Sequence, residues 1–363
     1  VALRAASFGK LTEGTAGGRL ALAHVGSDAV LDRPVLGWGP DLSRPAIHEH
    51  LLADFEARYG DTRIEDRVHN TVLDIAVWAG LLGVGVFVWF VVSFVRSARR
   101  RAEEASAWIT LAVLAAFAAH LLFNFPVPEL DVVMWMLMGS VVAAVRRLPP
   151  APVGVVVPVV VLGGVLLAPS AIDNINADLH LRRGVDHENA GDSAAAGREY
   201  RSAADAAGGA LYQEILSRFS MRAGQGDAAV NAARAVVRAD PTDPYARELL
   251  AGALDTAAGL KGDRALAVEA EAILREEIAH APYDGSLHTE LGVSLAAQER
   301  WDDALVALRR AEQLLPRSAP PVRNQGLVAA QRGDKLEAER LLRRALEIDP
   351  DDQPSKDALA KLV

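Results

Sequence analysis

Apolar residues along this chain follow two regimes. Up to about residue 169 they gather in long uninterrupted runs, and from residue 173 onward they recur at helical spacing among charges. The first run, residues 71–95, reads TVLDIAVWAGLLGVGVFVWFVVSFV with Asp74 as its one charge. A helix of that length at 1.5 Å per residue spans ~37 Å, enough to cross ~30 Å of hydrocarbon with some tilt. Three more runs follow at about 107–125, 130–145 and 153–168. Any one of the short runs also suits a buried soluble helix, but four in series with brief polar gaps predict a membrane bundle. Arg96, Arg99, Arg100 and Arg101 follow the first run, and Arg146 and Arg147 follow the third. The gap after the second holds Glu129 and Asp131 and no basic residue. Short cytoplasmic loops accumulate Lys and Arg, so both arginine loops are expected inside, with residues 1–70 and everything after about 170 outside.

The second regime repeats. Leu291 and Gln325, Gly292 and Gly326, Ala304 and Ala338, Ala311 and Ala345, and Pro316 and Pro350 are each 34 residues apart, as are Pro282 and Pro316. This is the tetratricopeptide period, and the small residues suit closely paired helices. Pro241 precedes Pro282 by 41, so that unit carries about seven extra residues around GLKGDRA. About five units are predicted over 173–350, divided near 207, 241, 282 and 316, with a capping helix over 351–363 to cover the last apolar face. A generic helical bundle is the alternative; the shared period favours the solenoid, whose expected role is to bind a protein partner. The whole chain is predicted to be all-α, a polytopic membrane helical bundle followed by an α-solenoid.

Composition sharpens this division. The mean hydropathy of +0.14 averages two unlike halves. Residues 1–169 carry 14 Lys and Arg against 15 Asp and Glu, and residues 170–363 carry 24 against 32, so the acidity of the chain (net −9) belongs to the repeats. An acidic chain is a poor match for nucleic acid, whose binding rests on neutralising phosphates. The absence of cysteine excludes disulfides, thiolate metal sites and thiol nucleophiles. No ligand-spaced His, Asp or Glu cluster stands in the first half, so neither a metal nor another cofactor is expected. The chain begins at Val1 with no signal-peptide pattern, and an external segment of this length must still be exported. Further spans are therefore expected upstream, and these residues alone are expected to be inactive.

Candidate chemistry concentrates ahead of the first run. Residues 11–70 hold six arginines and four histidines, and DRPVLGWGP at 32–40 is rich in turn formers, with Gly37 and Gly39 free to adopt unusual backbone angles. His69-Asn70 stands at the outer mouth of the first span. Nine residues separate it from Gly80, and two more separate Gly80 from Gly83; there the missing side chains would let another helix pack closely. Asp74, inside the same span, reads either as a functional intramembrane carboxylate or as an interfacial residue just below the headgroups. Glu129 and Asp131 read as an ordinary polar turn before they read as acceptor contacts.

GGRLALAHVGSDAVLDRPVLGWGP, then DRVHNTVLDIAVWAGLLG, then a span ending in HLLFNF, resembles the outer loop and last helices of the O-antigen ligase and polymerase family, over roughly residues 11–147. The resemblance implies a GT-C-like membrane glycosyltransferase of the bacterial inner membrane, here in part. It would need no metal and would move a glycan from an undecaprenyl diphosphate carrier on the outer face to an acceptor hydroxyl on a glycan, lipid or protein. It leaves ligase, polymerase and protein oligosaccharyltransferase open, and a membrane-anchored repeat scaffold without catalysis stays as the alternative. His69 matches the family's functional histidine and Asn70 its partner. Arg19 resembles the arginine that engages the diphosphate, although Ala23 stands where the ligase pattern has Leu. Arg67 and Arg33 are further substrate-binding candidates. Guanidinium forks suit a departing diphosphate, and an imidazole of pKa ~6.5 suits either proton abstraction from the acceptor or a hydrogen bond to the diphosphate.

Overall fold

The structure, a computed structural model, describes residues 14–39, 43–53, 55–59, 68, 70–99, 172–207 and 209–362. All regular elements among them are helical. The chain divides into two units, residues 1–50 with 65–166, and residues 51–64 with 167–363.

In the first unit, α1 (Gly14–Asp32) and α2 (Ser43–Glu49) pack with α4 (Thr71–Arg99). Gly26 is where α1 meets the chain entering α4: a Cβ there would lie 2.5 Å from the Val68 side chain. Pro34 ends α1, since it can neither donate to the ladder nor fit a continuing turn. A small core forms from Ala29, Trp38, Ala46 and Val77. α4 is long and apolar enough over Thr71–Arg96 to cross a membrane, and beyond Gly80 it presents Leu81, Leu82, Val86 and Trp89 outward, each more than half exposed. The other three expected spans, with Glu129 and Asp131, lie outside the described residues.

In the second unit, the short α3 (Phe55–Tyr59) accompanies five helical hairpins. These pair α5 (172–189) with α6 (Ser193–Ala207), α7 (Ala210–Arg222) with α8 (Gly226–Ala239), and α9 (Pro244–Lys261) with α10 (Arg264–His280). α11 (Gly285–Ala297) pairs with α12 (Trp301–Leu314), and α13 (Ala319–Gln331) with α14 (Lys335–Ile348). α15 (Gln353–Leu362) packs on the last pair. The extra residues of the third hairpin lengthen its helices to 18 and 17 residues, against 13 and 14 in the fourth, and make no loop. Leu, Ala and Glu continue a helix more readily than they leave one. Asp243, Asp263, Asp284 and Asp334 cap their helices by accepting backbone N–H bonds. Polar links recur at the repeat distance: the Tyr212 hydroxyl donates to Asp178 (2.8 Å) and Arg222 to Glu188 (2.8 Å), each pair 34 residues apart.

The hairpins close through glycine against leucine. A Cβ on Gly292 would stand 2.5 Å from Leu308 Cγ, and one on Gly326 would stand 3.0 Å from Leu342 Cγ. Gly292→Ala is therefore expected to destabilise the repeats by ~1–2 kcal/mol through overpacking, and Gly326→Ala by less. Thermal midpoints of the two variants check the order, which equal shifts would contradict.

Candidate functional site at a helix break

α4 is interrupted. Gly80 sits at φ 62°, ψ −165°, and the helix resumes at once on the other side. Such a break frees carbonyls at the end of the first half and amides at the start of the second, and buried backbone groups require partners. The turn after α1 supplies both sets. Trp38 N–H donates to Val77 O (2.7 Å) and Gly39 N–H to Trp78 O (2.9 Å). In the opposite sense, Leu81 N–H donates to Pro34 O (2.8 Å) and Leu82 N–H to Val35 O (3.4 Å). The turn is thus clasped into the helix.

Two glycines make the approach feasible. A Cβ on Gly80 would lie 2.3 Å from Val35 O, and one on Gly37, at φ 69°, would lie 2.5 Å from Val77 O. The close neighbour of Gly80 is therefore the backbone of a turn, where the sequence had suggested a second helix. Gly83 faces the Ala79 Cβ of its own helix across the break, 2.4 Å from an added Cβ. Shortening by the kink explains that contact.

The clasp carries a polar and aromatic cluster. Trp38 is buried, and its indole N–H donates to Ala29 O (2.9 Å), a carbonyl near the end of α1 that also accepts the Arg33 N–H (3.3 Å). The Arg33 guanidinium lies 3.8 Å over the Trp38 ring and pairs with Asp32 at 3.7 Å, with half of its side chain still exposed. The Trp38 ring meets His50 edge to face at 5.7 Å, while His50 Nδ1 lies 2.9 Å from Ala46 O, a contact that places the proton on Nδ1. A planar cation held flat by an aromatic face keeps its N–H edges in a fixed plane, the arrangement that suits phosphate oxygens.

The entry to α4 is equally tied. Val68 is buried, and its N–H donates to Asp74 Oδ1 (3.0 Å). Leu73 N–H donates to Asn70 Oδ1 (3.0 Å), the side-chain cap of the helix. Asp74, 2% exposed, thus fastens the chain just ahead of its own helix, which neither sequence reading of that residue had suggested. Residues 68 and 70, on either side of His69, are fixed; His69 and Arg67 themselves lie outside the described residues. Arg19 stands exposed near the start of α1. Sequence reasoning missed the participation of Trp38, Pro34 and Val35, for which the only signal was glycine on both sides of the contact. Among the described residues, no group of three or more His, Asp or Glu side chains converges as a metal would require.

Residues 2–88 match the family model Wzy_C, described as O-Antigen ligase, a span that includes α1, the clasped turn and the helix break. No curated protein matches the chain in sequence. Among solved structures, a thermophilic TPR protein of Thermus thermophilus is similar at 19% identity and a TM-score of 0.43, over 51% of this chain and 98% of its own. The MamA protein of Desulfovibrio magneticus is similar at 17% identity and a TM-score of 0.36, over 49% and 97%. In its N-terminal part the chain is O-antigen ligase-like, and its C-terminal half is an array of tetratricopeptide-type helical hairpins.

Proposed function

We propose that the protein is a multi-pass glycosyltransferase of the bacterial inner membrane. It would move a glycan from undecaprenyl diphosphate to an acceptor hydroxyl on the outer face, with residues 1–70 and the repeats extracytoplasmic. The observation that carries this reading is the coincidence of the O-antigen ligase match with the clasped helix break. A break stabilised by a turn is the form in which irregular backbone enters an apolar layer, and it brings polar groups to the edge of that layer. Arg33, held flat on Trp38, and Arg19 on α1 bind the diphosphate, with Arg67 as a third cation. His69, whose sequence neighbours Val68 and Asn70 are each hydrogen-bonded into the start of α4, activates the acceptor hydroxyl or hydrogen-bonds the diphosphate. The leaving group departs as a diphosphate and needs charge neutralisation more than a strong acid, so a metal-free site suffices.

Membranes containing the full-length protein, supplied with undecaprenyl diphosphate-linked oligosaccharide, test the reading. Transfer to an acceptor is expected, and Arg33→Lys, which keeps the charge but loses the planar fork, is expected to lower it about tenfold. Absence of transfer by the unaltered protein would overturn the reading. Full activity in Arg33→Lys would remove Arg33 from the site.

A further inference from the structure

The repeats hold two carboxylates where local structure disfavours them, and both line one cavity. The first helices of the third, fourth and fifth hairpins, α9, α11 and α13, together with Trp301 and Leu308 of α12, line an open cavity of about 420 Å³ with Val293, Leu327 and Val328 in its walls. Asp255 of α9 lines it while only 7% exposed. One of its oxygens accepts the Ser294 hydroxyl from α11, and the other, Oδ1, has no hydrogen-bond partner among the described residues. Burial pushes its pKa up to about 8 against the lowering effect of the Ser294 hydrogen bond, and the charge of Glu290 on α11 adds to the rise. A carboxylate so poorly compensated is unfavourable for folding alone.

Glu299 is the second anomaly. The turn between paired helices places Gly191, Gly224, Gly262 and Gly333 at positive φ in four hairpins, and in the fourth in chain order Glu299 takes that place at φ 61°. A side chain held in the left-handed region is strained, and strain of this kind collects at sites with a role. Glu299 lines the same cavity and pairs outward with Arg264 of α10, both more than half exposed.

We propose that this cavity binds a basic side chain from an extended segment of a partner protein, the aliphatic stem against Val293, Leu327 and Val328 and the cation balanced by Asp255 and Glu299. Apolar walls with acid at hand match the two-part chemistry of Lys or Arg, and the volume lies within the range of ligand pockets. The excess of 32 acidic over 24 basic residues in residues 170–363 favours the same sign of partner. An anionic segment would face both carboxylates. The cavity-lining side chains of α13, Asn324 and Gln331, carry no charge to reverse the balance. This site is independent of the transfer reaction and concerns the repeats alone.

Proton linkage gives the test its sign. The folded chain keeps a proton on Asp255 up to about pH 8, while the unfolded chain releases it near the ordinary 3.8. Stability therefore falls as pH rises from about 4 toward 8, and Asp255→Asn removes that slope. A cation that binds the ionised carboxylate must displace the proton, so affinity rises with pH over the same approach to 8.

The experiment is calorimetric titration of the full chain in detergent with acetyl-Leu-Lys-Leu-amide and its norleucine analogue. The lysine peptide is expected to bind at least tenfold more tightly, with affinity rising about eightfold from pH 6.5 to 7.5. Asp255→Asn should keep the fold, melt higher than the unaltered chain at pH 8, and lose both the lysine preference and the pH dependence. Glu299→Gly should melt higher while binding the lysine peptide severalfold more weakly. Equal affinity for the two peptides, binding of neither, a pH-independent affinity in the unaltered chain, or preference for maltohexaose over the lysine peptide would each overturn the proposal.

Discussion

Gly80→Ala is expected to expel the turn from α4. The added Cβ would stand 2.3 Å from Val35 O and 2.4 Å from its carbon, contacts with backbone that no rotamer change can relieve. Alanine at φ 62° adds roughly 1–2 kcal/mol of its own. Alanine also favours a continuous helix over glycine by about 1 kcal/mol, so the interrupted form loses on both counts. The helix closes its own ladder through position 80, and the four hydrogen bonds to Pro34, Val35, Trp38 and Gly39 are forfeited. The bound turn should be disfavoured by about 3 kcal/mol or more, since net contributions near 1 kcal/mol per hydrogen bond are lost together with the Trp38 burial. Trp38, 7% exposed when clasped, then becomes accessible. Chymotrypsin cleavage at Trp38 should rise more than tenfold, and glycan transfer should fall with it because Arg33 is released. Unchanged cleavage and transfer in Gly80→Ala would show that the break has no part in holding the site.

His69→Ala in the full-length protein is expected to reduce transfer about a hundredfold, the middle of the range for one positioned acid or base. The fold should survive, because the local anchors are its neighbours: Val68 through Asp74, and Asn70 through the Leu73 amide. The pH profile of the unaltered enzyme separates the two roles. A base must be neutral, so the rate rises through a pKa near ~6.5, whereas an imidazolium that binds diphosphate gives a rate that falls through it. Transfer within twofold of the unaltered level after the substitution would exclude both roles. Asp74→Asn is a useful companion, since it weakens the Val68 tie while leaving the imidazole in the chain.

Much of this architecture could be read from residue spacing. The 34-residue recurrence of Gly292 and Gly326 carries over directly into a glycine set against Leu308 and Leu342. The run from Thr71 is one apolar helix because its side chains offer no alternative. The break within it was half legible. Gly37, Gly39 and Gly80 advertised unusual backbone, but a glycine states only that something comes close, and the apolar run around Gly80 pointed to another helix. The partner is a turn 45 residues upstream, and that pairing is a tertiary fact absent from either local pattern. Asp255 was invisible for a different reason. In helices this rich in alanine, helical periodicity marks the buried stripe weakly, and a carboxylate on its edge looks like one more solvated charge. Glu299 escaped notice because the repeat match rests on its small and apolar positions, and the turn residue was not among them.

The position of the break also sets a depth. From Leu81 to Val95 the second half of α4 is 15 residues, ~22 Å of helix, which falls short of ~30 Å of hydrocarbon. If Arg96 marks the inner boundary, as in the topology proposed above, Gly80 and the turn clasped to it lie below the outer headgroups. Val35 and Leu36, 66% and 70% exposed at the tip of that turn, then meet acyl chains. The cluster of Arg33 and Trp38 would therefore work from within the leaflet, at the level where a lipid-linked diphosphate begins, and the lipid would need only to slide sideways to reach it.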